Sequence, residues 1–130
     1  MPRLPVPSVV LFVVDVPRVS AFYRELASMT LLHQDDAHVV LATHGLELVV
    51  HQLRGEPPVT RDTLGRPALR EDSYWKLALP VASIAAARTT ASLLGGGLKS
   101  PEQEWEARGF RACDGYDPEG NVIQVREAVE

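Results

Sequence analysis

The residues able to do chemistry are few, and most sit at alternate positions of short apolar runs. In Leu46-Glu47-Leu48-Val49-Val50-His51, the side chains of Glu47, Val49 and His51 share one strand face, and Leu46, Leu48 and Val50 the other. Gln124 and Arg126 oppose Ile123 and Val125 in the same way. A carboxylate and an imidazole on one open face are suited to proton transfer, so Glu47 and His51 are the catalytic candidates. Lys76 could stabilise an enolate-like charge beside them. His33, His38 and His44 lie in or beside short strands and turns, where a solvated imidazole is expected. Arg108, Arg111 and Arg126 could grip an anion with two-pronged contacts. Trp105 and Tyr116, flanked by polar loops, are candidates for stacking on a flat ligand, whereas parity assigns Trp75 to the core. Cys113 has no neighbouring His or helix N-terminus in sequence and is expected to be a buried, inert thiol. No Ser-His-Asp arrangement, phosphate-binding loop or dinucleotide fingerprint is present.

The elements that must position these groups occur twice. Val9, Leu11 and Val13 fall on Leu77, Leu79 and Val81 at an offset of 68 positions, and Val16, Val19 and Leu26 fall on Ile84, Ala87 and Leu94. Ser8 to Val14 predicts a strand buried on both faces. Asp15 then predicts an N-cap with Pro17 in the first turn, before a stripe of Val19, Phe22, Tyr23 and Leu26. Strands are expected near 31–34, 38–42 and 46–53, completing a βαβββ module over about 6–53. Residues 54–73, rich in proline and charge, predict an ordered linker or a loop over a site. The second module, about 74–130, predicts a strand over 75–81, a helix capped by Ser83 and stopped at Gly95-Gly96-Gly97, and strands near 98–100, 110–114 and 122–127. A half-module cannot close its own core, so the copies must share one, and small-molecule sites commonly form where such units meet.

The chain has 130 residues, 45% hydrophobic and 23% charged, with a net charge of −4. That is one domain of ordinary globular composition, without the basic cluster of a nucleic-acid surface. The apolar run at Val9–Val16 is too short to span a membrane and lacks a signal cleavage site. With a single cysteine, the expectation is a cytoplasmic protein without disulfides.

Three features together resemble the vicinal oxygen chelate superfamily of glyoxalases, bleomycin-resistance proteins and extradiol dioxygenases. They are Val13-Val14-Asp15 with Phe22-Tyr23 on the following helix, the turn Asp117-Pro118-Glu119-Gly120-Asn121 leading into Val122–Val125, and the paired modules. The resemblance implies an α+β fold in which two βαβββ modules curl a mixed sheet around a shared cup, helices outside, in a homodimer. It also implies four equivalent ligand positions in the metal-dependent members, carried over here to Ser8, Glu47, Lys76 and Gln124. Only Glu47 is a conventional ligand, and an ammonium at Lys76 repels a metal. No catalytic metal and no cofactor are therefore expected. Lys76 is expected to stand in the metal's place and pair with Glu47, with His51 the one residue that could add a second donor. The expected ligand-binding set is Ser8, Phe12, Glu47, His51, Lys76, Trp105, Tyr116, Gln124 and Arg126. Two functions follow. The first is a metal-free small-molecule binder like the antibiotic-resistance members; the alternative is a metal-dependent glyoxalase- or dioxygenase-like enzyme acting on a small oxygenated metabolite.

Overall fold

The computed structural model describes residues 3–56 and 61–129. In module one, β1 (Ser8–Val13) leads into α1 (Val16–Leu26), then β2 (Thr30–Gln34), β3 (His38–Thr43) and β4 (Leu46–Gln52). These strands form a mixed sheet in the order β1-β4-β3-β2, with β1 parallel to β4. Module two repeats the plan with β5 (Leu77–Pro80), α2 (Ile84–Leu93), β6 (Gly97–Leu98), β7 (Trp105–Ala107), β8 (Phe110–Tyr116) and β9 (Val122–Ala128). Its sheet runs β5-β9-β8-β6, with β7 also paired to β8. Pro101–Gln103 form a short 3-10 turn between β6 and β7. The counterpart of β2 is thus split into two short strands, and the pairing of β7 was not predicted. Pro101, which has no N–H to give a strand ladder, opens the 3-10 turn that separates them.

The helices start where the duplication places them. Asp15 Oδ1 accepts from the Arg18 N–H at 3.1 Å, and Ser83 Oγ accepts from the Ala86 N–H at 3.1 Å. Val16, Val19, Phe22, Tyr23 and Leu26 of α1 are buried, as are Ile84, Ala87 and Ala91 of α2. Each stripe covers the apolar face of its sheet, where Leu41, Leu48, Val50, Leu79, Ile123 and Val125 are also buried. One core cluster contains residues of both modules. Gly95 closes α2 at φ +95°, a conformation that costs glycine little.

Two expectations fail at the edges of the sheets. β1 is not buried on both faces, because α1 covers only one face of its sheet and Val10 and Phe12, on the other, stand exposed. Trp75 precedes β5 and is 88% exposed, so strand parity does not apply to it.

The turn between β8 and β9 does more than set a register. Asp117, fully buried, accepts from the Tyr23 hydroxyl at 2.7 Å, the Asn121 amide at 2.9 Å, and the backbone N–H groups of Glu119 and Asn121. Burial nevertheless pushes its carboxyl above the ordinary range, and burial beside Asp117 pushes the Tyr23 hydroxyl well up. The Glu119 carboxylate accepts from the N–H groups of Val14 and Asp15, each at 2.8 Å at its shorter contact, and so holds the start of α1. The linker crosses this turn: the Arg70 N–H donates to the Gly120 carbonyl at 2.8 Å, and a Cβ on Gly120 would meet the Ala68 carbonyl oxygen at 1.8 Å. Gly120 is therefore required both for its φ of +83° and for the close passage of the linker.

Candidate functional site

A cleft of about 620 Å³ lies between the modules. Ser8 and Val10 of β1 line one side, Lys76, Leu77 and Ala78 the other, and Arg70, Ser73 and Trp75 of the linker region border it. Strand edges explain its place, since β1 and β5 are both edge strands of their sheets. A second cavity of about 450 Å³ adjoins it at Lys76 and extends over Asp114 and Tyr116.

The nine expected ligand residues divide between two sheets. On module one, register sets Ser8 opposite Glu47 and Phe12 opposite His51, with His51 opposite His38 on its other side. The rings of Phe12, His51, His38 and His33 form a row with centroid separations of 5.5, 5.6 and 4.8 Å. His51 Nδ1 lies 2.8 Å from the Gln52 carbonyl and donates to it. His33 and His38, set aside as solvated from sequence, join this row. The signal for His33 is the irregularity in the β2–β3 pairing between Leu31 and His33, which sets it opposite Val40, on the face of His38.

On module two the polar residues engage one another. Lys76 Nζ lies 3.3 Å from Asp114 Oδ1, which also accepts from Gln124 Nε2 at 3.0 Å. Arg126 Nε donates to Gln124 Oε1 at 2.7 Å, and its guanidinium stacks 4.4 Å from the centre of the Phe110 ring. Arg108 stacks on the same ring, and Trp105 meets its edge at 6.1 Å. Arg111 pairs with Glu106 and Glu104 and is not an anion grip within the cup. Cys113 is buried, and burial raises its thiol above the ordinary range, in keeping with an inert group.

Two pairings expected from sequence do not form. Lys76 pairs with Asp114, and among the described residues it makes no ion pair with Glu47. The reason is topological. Asp114 stands opposite Gln124 in the same sheet, while Glu47 lies in the other sheet opposite Ser8. Glu47 and His51 are four strand residues apart, about 13 Å, too far to share an ion. The two modules also place their fourth-strand residues differently. Val10 pairs with Val49, whereas its copy Ala78 pairs with Gln124, so the internal two-fold relates Gln124 to Val49 and not to Glu47.

The donor set does not fit a metal at the four carried-over positions. Of Ser8, Glu47, Lys76 and Gln124, one is cationic, and both ends of the Gln124 amide are held by protein groups.

Two half-modules of βαβββ order, helices outside and a cleft between, define the glyoxalase-type fold. The family model of the glyoxalase-like domain matches residues 8–126, and the chain belongs to that family. Among solved structures, the chain resembles a glyoxalase/bleomycin resistance protein/dioxygenase family enzyme from Burkholderia phytofirmans PsJN at 15% identity, covering 94% of this chain and 97% of that one, with a TM-score of 0.68. It also resembles a fosfomycin resistance protein, FosX, from Listeria monocytogenes, complexed with Mn(II) and 1S,2S-dihydroxypropylphosphonic acid; identity is 16%, coverage 99% and 93%, and the TM-score 0.64. TnmS3, an antibiotic binding protein from Streptomyces sp. CB03234, is similar at 20% identity, with 99% of each chain covered and a TM-score of 0.62. No curated protein sequence matches. At these identities the likeness to solved structures shows the fold alone. Among the described residues, no helix is long and apolar enough to cross a membrane.

Proposed function

We propose that this protein binds a small organic molecule in the inter-module cleft without a metal and without chemical turnover. The observation that carries this reading is the closed polar network of module two. Where metal-dependent relatives need free donors, Lys76, Asp114, Gln124 and Arg126 already satisfy one another. The same cleft suggests the ligand's chemistry. Its walls are mainly apolar, and among the described residues its charged lining groups are Arg70 and Lys76, with no carboxylate. Arg70 makes no ion pair among the described residues. A molecule with an apolar body and an anionic or acceptor group fits such a lining better than a cationic one.

The exposed apolar residues Val10, Phe12 and Trp75, beside two unpaired strand edges, also support a homodimer that covers them. The test is metal analysis and native mass spectrometry of untagged protein. A co-purifying organic ligand whose retention falls in Arg70→Ala supports the reading. A stoichiometric metal that is lost in Glu47→Gln, together with turnover of a small oxygenated substrate, overturns it.

A further inference from the structure

We propose that the β2–β3 hairpin carries a site for a divalent transition metal, formed by His33, Asp35 and His38 and separate from the inter-module cleft. One atom from each residue can be chosen so that all three lie within 4.8 Å of one another. His33 Nε2 lies 2.9 Å from Asp35 Oδ2, and His38 Nδ1 lies 3.1 Å from Asp35 Oδ1. Ligand atoms around a tetrahedral zinc, each about 2.0–2.1 Å from the ion, stand roughly 3.3 Å from one another, so small side-chain rotations would admit the ion.

The backbone holds this arrangement in place. Asp35 Oδ1 accepts from the N–H groups of Ala37 and His38 at 2.8 and 2.9 Å, which fixes the carboxylate and leaves Oδ2 as its metal-facing oxygen. The pairing irregularity after Leu31 brings His33 to the face of His38, and the His38 ring is stacked on His51. Imidazole and carboxylate together select zinc, nickel or copper over magnesium. Three chain ligands leave at least one position open to water or another donor.

The ordinary alternative is an exposed carboxylate flanked by two histidines with no taste for metals. Calorimetric titration of untagged, EDTA-treated full-length protein with Zn²⁺ separates the two. One zinc per chain is expected, with little heat from Mg²⁺. His33→Gln, His38→Gln and Asp35→Asn should each weaken zinc binding by about tenfold or more, since even residues behind a metal's ligands are worth that much. His44→Gln, on the β3–β4 turn, and Glu47→Gln should leave it unchanged. Asparagine at 35 can still accept the two backbone N–H groups, so its loss of zinc would not reflect a lost turn. Absence of saturable zinc binding, or wild-type zinc affinity in all three hairpin variants, overturns the proposal and leaves the cleft reading untouched. Zinc binding lost only in Glu47→Gln overturns both.

Discussion

Module two is held by its own residues, and module one is held partly by module two. At the start of α2, the Ile84 N–H donates to Glu127 Oε1 at 2.7 Å, from the module's own last strand. At the start of α1, the carboxylate that accepts from Val14 and Asp15 is Glu119, more than a hundred residues away. The buried hydroxyl of Tyr23 likewise finds its acceptor across the junction, in Asp117. The open faces differ in the same sense. Module two's carries a linked chain of Lys76, Asp114, Gln124 and Arg126, while module one presents Glu47 opposite Ser8 and a row of Phe12 and histidines tied to module two by none of these contacts. After duplication the copies kept the same strand–helix plan, but one became the support of the other.

The comparison can be broken most forcefully at the junction. Asp117→Ala should destabilise the protein by about 3 kcal/mol or more in urea unfolding, because it strands several buried donors at once. Glu119→Ala should cost about 2 kcal/mol, having hydrogen bonds to an ionised acceptor but a less buried site. Glu127→Ala, a single contact at a helix start, should cost about 1 kcal/mol. If Glu127→Ala proved as costly as Glu119→Ala, the asymmetry between modules would fail.

A pH series sharpens the same point. The Tyr23 hydroxyl titrates well above its ordinary 10.0 in the folded chain. A folded pKa raised above the unfolded one contributes stability that is present below pH 10 and lost as pH rises toward the folded value. Stability should therefore fall in alkaline buffer, and Tyr23→Phe should flatten that fall even though it lowers stability at neutral pH. The smallest effect is expected on module one's open face. Glu47→Gln should change stability by less than about 0.5 kcal/mol, since no ion pair is broken.

Much of the fold was legible because it depends on local patterns. The stripe of Val19, Phe22, Tyr23 and Leu26, the caps at Asp15 and Ser83, and the alternation in β4 each act within a few residues. What was hidden depended on partners distant in the chain. Nothing near Lys76 in sequence distinguishes Asp114 from Glu47 as its partner, and only sheet register decides it. Trp75 has a strand's parity but lies beyond the end of the strand, so its exposure could not be read from alternation. The histidine row needed both the β3–β4 register and the irregular pairing of β2, neither of which leaves a clear mark in composition.

The Glu119 contact has a consequence for how the chain is made. Residues 8–52 hold every strand and helix of module one, yet the junction between β1 and α1 lacks its acceptor until residue 119 has been synthesised. Domains often fold from the N-terminus as they emerge from the ribosome, but here the first half waits for almost the last turn. Closing so long a loop carries an entropic cost before any contact rewards it, which favours late, joint folding of both halves over stepwise growth. A nascent chain stalled before Glu119 should therefore hold an α1 that still exchanges its first amide hydrogens freely.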